Sequence, residues 1–314
     1  MEWRRHDAPP RALRLMLLAL IVAGVGCVLA ACGSSATKEE TSGPTWTKPA
    51  SISETDFSAD GAVSANDSLI DVSSVADGVV GASATSTVRL KFTVTSGDET
   101  YNYDLPQDGT PIEVPLNMGD GTYTFRVMRN TSGNNYVEVN ATTTDVTLSS
   151  EFAPYLRPNV YCDYSADSAC VAKAAEVTQG ATNEGDVVRD VFDYITQNVT
   201  YDTDKAAQLA DSTGYIPDPD ETLSSGKGIC FDYASLGAAM LRSLGIPCKV
   251  VTGYVSPNNI YHAWIMVYID GSWTSSEVTI ENGTWSRVDL TFAAAQDNTG
   301  YVGDGKTYTD RFTY

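Results

Sequence analysis

The hydrophobic pattern changes its period near Ser150, and that break decides what the chain can fold into. Before it, apolar residues alternate with polar ones: Val88 to Val94, Tyr101 to Leu105 and Tyr123 to Val127 each place every second side chain on one face. Gly119-Asp120-Gly121 and Ser132 to Asn135 separate such runs as turns do. Half-buried strands at roughly ten-residue spacing predict a small antiparallel β-sandwich over residues 60–150. After the break the spacing becomes helical. Residues 168–178 are expected to form a helix, and Asn183 followed by Asp186 reads as a helix start. Val187, Val188, Val191, Phe192 and Ile195 then share one face. Another helix begins near Cys230, carries Leu236, Met240, Leu241 and Leu244, and stops at Gly245-Ile246-Pro247. Strands are expected at 249–255, 263–269, 277–281 and 284–290, with Asp270-Gly271 and Asn282-Gly283 as hairpin turns. Helices followed by antiparallel strands predict an α+β domain over residues 151–314 rather than a doubly wound sheet.

The N-terminus reads as an export leader. Arg4, Arg5, Arg11 and Arg14 precede an apolar run from Leu15 to Ala31. Leu29-Ala30-Ala31-Cys32 resembles the bacterial lipobox, so residues 1–31 are expected to be removed and Cys32 lipidated. The protein would then be extracytoplasmic and anchored to the bacterial cell membrane by its lipid. Residues 32–59, polar and rich in Ser, Thr, Gly, Lys and Pro, read as a flexible tether. Loss of the leader takes four arginines and two acids from 20 basic and 40 acidic side chains, leaving 16 and 38, net −22. Such a charge argues against nucleic-acid binding. Among the other cysteines, Cys162 and Cys170 are eight apart around a polar turn and are a candidate disulfide outside the cell, while Cys248 reads as a buried small hydrophobe.

Only two histidines occur, and His6 lies in the leader. His262 is therefore the one imidazole of the expected mature chain. Cys230 lies thirty-two residues before it, behind Gly226-Lys227-Gly228, and Asp289 twenty-seven residues after it. Thiol, imidazole and carboxylate are the parts of a nucleophilic cysteine site, in which the ring stabilises the thiolate and the acid fixes the tautomer. A helix N-terminus at Cys230 favours an anion there and leaves backbone N–H groups free to hold an oxyanion. Nothing in the sequence points to a metal or an organic cofactor.

The stretch from Leu223 to Ala234, with Met240 to Pro247, resembles the nucleophile segment of the transglutaminase-like superfamily, in particular its bacterial surface proteins. His262-Ala263-Trp264 resembles that family's histidine motif. Trp285 to Phe292 resembles its aspartate motif, with Leu290 where proline is usual, and Val199-Thr200-Tyr201-Asp202 also fits. The resemblance implies a papain-like fold, with Cys230, His262 and Asp289 as nucleophile, base and orienting acid. Tyr201, Gly228 and Trp264 are candidate oxyanion or supporting residues. Many relatives carry the acid about fifteen residues after the histidine, where this chain has Glu277. A hairpin from Trp273 to Asn282 reads as an insertion, and the context favours Asp289. The function expected is that of a membrane-anchored cysteine enzyme cleaving amide bonds of a protein or peptide substrate through a thioester. Crosslinking or deamidation of glutamine is the enzymatic alternative, and an inactive surface binding module the non-enzymatic one. The sequence leaves oligomeric state and substrate identity open.

Overall fold

A computed structural model describes residues 40–54, 56–210, 212–256, 259–275, 278–295 and 308–314. The leader, Cys32 and Glu277 lie outside the described residues. The chain begins with a short strand, β1 (Glu40–Ser42), and then builds a two-sheet sandwich from β2 (Val63–Ala65), β3 (Ser68–Asp71), β4 (Val79–Ala84), β5 (Leu90–Ser96), β6 (Glu99–Leu105), β7 (Ile112–Pro115), β8 (Gly121–Ser132) and β9 (Asn135–Val146). The sheets have the orders β2-β3-β4-β7 and β6-β5-β8-β9, with antiparallel pairing throughout. Alternation places Phe92, Val94, Tyr123, Phe125 and Val127 between the sheets, each fully buried.

The second unit contains α1 (Ala169–Val177), α2 (Glu184–Asn198), β10 (Thr200–Tyr201), α3 (Thr203–Leu209), α4 (Pro219–Ser225), β11 (Lys227–Gly228) and α5 (Cys230–Ser243). It continues with β12 (Cys248–Val255), β13 (Ile260–Val267), β14 (Ser272–Thr274), β15 (Thr279–Ile280), β16 (Ser286–Val288), α6 (Leu290–Ala294) and β17 (Tyr308–Thr313). The fold is α+β. Its main sheet, in the order β16-β13-β12-β17, is antiparallel, and α5 packs on β12 and β13. Asn183 caps α2 by accepting from the Asp186 amide at 3.0 Å. Buried Arg242 of α5 donates to the carbonyls of Cys248, Arg157 and Tyr314, at 2.8, 2.7 and 2.9 Å. Three chain segments are thereby fixed to one guanidinium. Tyr314 packs against both cores and so joins the two units.

Three expectations change. The tether read over 32–59 is docked from Glu40 onward: β1 pairs with β14, the Trp46 amide donates to Thr182 at 2.8 Å, and the Trp46 indole donates to Leu244 at 3.3 Å. Its polar composition conceals pairing made by backbone groups, which composition does not report. Second, the candidate hairpin turns do not join neighbours in one sheet. Asp270-Gly271 leads from β13 to β14 in the sheet β1-β14-β15, and Asn282-Gly283 leads from that sheet back to β16. Gly271 serves instead for close approach, since a Cβ there would lie 2.2 Å from the Ser42 carbonyl oxygen of the docked segment. Third, Cys162 and Cys170 are free thiols rather than a disulfide. Cys162 lies in the core with its Sγ 3.7 Å from the Ser235 carbonyl, while Asp220 holds the Cys170 amide at 2.8 Å. Both are fully buried, so packing employs them as small apolar side chains.

Candidate active site

Cys230 is the first residue of α5, half-buried at the end of the helix where β10 and β11 pair in parallel. The first N–H groups of a helix have no partner within it, so those of Cys230 and Phe231 are directed at whatever lies beyond the terminus. Opposite stands the main sheet. His262 lies on β13 across from Gly253 of β12. A Cβ at Gly253 would come within 2.1 Å of the Thr309 carbonyl and 2.8 Å of the Trp264 ring, so only glycine admits this packing.

β16 pairs with β13 through Ile265↔Val288. One step beyond, Asp289 faces Trp264, and His262 shares that face two residues away. The His262 Nε2 lies 2.8 Å from Asp289 Oδ2, with both residues buried. Phe292 stacks on the imidazole at 4.5 Å and an interplanar angle of 21°, and Trp264 lies beyond at 6.2 Å. With Nε2 engaged by the carboxylate, Nδ1 is left for the thiol. Cys230 lies close enough to the ring to act on it through its charge. Burial opposes a charge on the imidazole, but Asp289 and Cys230 outweigh it and raise the His262 pKa to about 10.

Asp289 is saturated with donors. Its Oδ1 accepts from the amides of Thr291 and Phe292 at 3.1 and 3.0 Å, capping α6. Its Oδ2 accepts from His262 and from the Tyr308 hydroxyl at 2.9 Å. Tyr308 was not anticipated from the sequence: β17 brings it in by pairing beside β12, after a stretch with no periodic signal. Tyr308→Phe is expected to weaken the hold on Asp289 Oδ2 while leaving the ring in place. The remaining contact should then hold the imidazolium more strongly and raise the pH at which His262 loses its proton. An NMR titration of the imidazole in protein beginning at residue 32, where His262 is the sole histidine, measures this.

The other candidate residues are distributed as follows. Tyr201, on β10, pairs with Gly228 and lies close enough to Cys230 to feel its charge; burial and that charge push its phenol up. Gly228 receives the Asp202 amide on its carbonyl at 2.9 Å. It has no room for a side chain, because a Cβ would fall 2.6 Å from that of Asp232. Trp264 is buried against His262 and Tyr308, and its contacts are those of packing. Cys162, Cys170 and Cys248 are buried, and burial pushes each thiol up, Cys162 to about 11. Iodoacetamide near neutral pH is therefore expected to alkylate Cys230 first and leave the other three unmodified in folded protein. Peptide mapping checks this, and preferential labelling of Cys248 would remove Cys230 as the candidate nucleophile. Among the described residues no cluster of His, Cys, Asp or Glu has the makings of a metal site.

A cysteine opening a helix, facing a buried His–Asp pair on an antiparallel sheet, defines a papain-like arrangement. Residues 171–290, which include Cys230, His262 and Asp289, match the model of the transglutaminase-like superfamily. The uncharacterized protein YebA of Bacillus subtilis is 31% identical over 34% of this chain and 17% of its own length. Kyphoscoliosis peptidase of Mus musculus is 29% identical over 35% of this chain and 18% of its own length. The chain thus spans less than a fifth of either relative. Among solved structures, a protein of Cytophaga hutchinsonii described as a candidate cysteine protease aligns over 76% of this chain and 79% of its own, at 17% identity and a TM-score of 0.39.

Proposed function

We propose that the C-terminal domain is a cysteine enzyme that opens amide bonds of a protein or peptide substrate, held outside the cytoplasm by a lipid on Cys32. The observation that carries this reading is the buried imidazole bonded to Asp289 at 2.8 Å and lying beside Cys230, two partners that raise its pKa. In the ion pair so favoured, the Cys230 thiolate attacks the carbonyl carbon, and the carbonyl oxygen takes the negative charge. The Cys230 amide at the start of α5 and the Tyr201 hydroxyl, on the neighbouring strand, are donors that could receive it. His262 gives its proton to the leaving amine, the C–N bond breaks, and an acyl thioester remains on Cys230. Water, deprotonated by the now neutral imidazole, attacks the thioester; the carboxylic acid leaves and the thiolate–imidazolium pair returns.

The test is incubation of the protein, and of a Cys230→Ala variant, with surface proteins of the parent cell, followed by mass spectrometry. New termini that depend on Cys230 support hydrolysis. A Gln–Lys bond or conversion of Gln to Glu would instead assign transfer or deamidation, and identical products from both proteins would leave a binding module. For the anchor, Cys32→Ser is expected to release the protein from the membrane fraction with the fold intact, whereas mature protein that retains Met1 would refute lipidation.

A further inference from the structure

Asp232 is a carboxylate with no solvent exposure, two residues from Cys230 in the first turn of α5. Its Oδ2 accepts from the Ile229 amide at 2.8 Å, which fixes the start of the helix. A buried negative charge so close to a thiolate opposes the thiolate unless it is neutralised. The structure supplies that neutralisation from outside the helix. Lys205 Nζ of α3 lies 3.0 Å from Asp232 Oδ2, and the Tyr215 hydroxyl donates to Asp232 Oδ1. Lys205 also lies over the Tyr215 ring, 4.9 Å from its centroid, so the two donors hold each other. The helix bearing Lys205 is tied down in turn, since Asp202 caps it by accepting the Lys205 amide at 2.8 Å. Gly214, beside Tyr215, rests on Asp104 of β6, where a Cβ would lie 2.7 Å from the carboxylate. The sandwich therefore buttresses this loop.

We infer that Lys205 and Tyr215 are positioning residues for the nucleophile: acting through Asp232, Lys205 balances its charge, Tyr215 holds it by a hydrogen bond, and together they set the pH at which Cys230 becomes reactive. This rests on Cys230 being the nucleophile. The other groups facing the sulfur are His262 and Tyr261 of β13 and Tyr201 of β10, with Asp202 behind Tyr201. Among these side chains and Lys205, the positive charges are those of His262 and Lys205. Removing Lys205 takes away the cation that Asp232 contacts, and the thiolate must then form without it.

The experiment is the pH dependence of Cys230 alkylation by iodoacetamide, in full-length protein, with thermal melts run in parallel. Lys205→Met is expected to move the half-maximal rate upward by about one to two pH units, as an uncompensated charge within the same helical turn should at intermediate polarity. Lys205→Met combined with Asp232→Asn removes both charges and should bring the profile back toward wild type. A merely structural ion pair predicts lower melting temperatures in both variants and an unmoved profile. Tyr215→Phe should shift the profile in the same direction by less. If Lys205→Met does not fold, Tyr215→Phe decides, and a profile superimposable on wild type overturns the inference. A single variant superimposable on wild type, or a double variant displaced as far as the single, overturns it as well. Failure of the wild-type thiol to react ahead of the buried cysteines would instead overturn the proposed nucleophile, so the two failures are distinguishable.

Discussion

His262→Gln is expected to abolish turnover, lowering the rate by about 10⁴-fold or more, since the one other histidine of the sequence is His6, near its start. Glutamine is the informative replacement because its amide occupies part of the volume between Phe292 and Trp264, where alanine would leave a hole. It cannot carry the charge that accompanies the thiolate, nor can it protonate a leaving amine. Two measurements bear on it: product formation, and the rate of Cys230 alkylation near neutral pH, which should fall. A variant that melts like wild type and turns over at a similar rate would move the chemistry elsewhere and bring the binding-module reading to the front.

Asp289→Asn is the second large effect. The carboxylate receives two amides, the imidazole and a phenol, so alanine would strand four buried donors and remove a helix cap, at about 1–3 kcal/mol for each unsatisfied group. Alanine is expected to unfold the domain. Asparagine keeps an oxygen for the α6 amides but turns N–H groups toward His262 Nε2, which selects the wrong tautomer and should cost about 10⁴-fold in rate. The same substitution has a signature in stability. The folded His262 pKa, about 10, stands above its ordinary 6.5. Its contribution to stability is therefore fully present below pH 6.5 and disappears as pH rises through about 10. Wild type should lose melting temperature across that window, and Asp289→Asn, with little shift left to lose, should show a flatter profile.

Much of the site is legible in the sequence because its parts follow local rules. Cys230 is preceded by Gly226 and Gly228 and begins an apolar stripe of helical period, which marks a helix start from neighbouring residues alone. His262 and Asp289 fall in alternating segments whose strands turn out to be adjacent. Contacts that depend on distant pairing leave no such trace. Tyr308 reaches Asp289 only because β17 lies beside β12, and nothing around Tyr308 announces it. Lys205 lies on short α3 and Tyr215 in the loop that follows, and their common target becomes visible only once the loop folds back onto α5. The Cys162–Cys170 spacing allows a bridge, but spacing carries no information about which way each sulfur faces. Asp270-Gly271 has the composition of a turn, yet its glycine answers to the docked segment at Ser42, more than two hundred residues away.

That docking alters what counts as a domain. β1 and Trp46 complete the unit formed by residues after Ser150, so the sandwich is in effect an insertion within a single larger body rather than a bead strung ahead of it. A fragment cut at residue 151 would lose an edge strand and the indole that covers Leu244, and would expose the groove along α1 where Trp46, Thr47 and Lys48 lie against Ala172, Ala175 and Gln179. The mechanical consequence reaches further. Any pull applied upstream of Glu40 meets β14 first, as shear along an antiparallel pair three residues long, ahead of the sandwich. The unit that carries Cys230, His262 and Asp289 takes the load first.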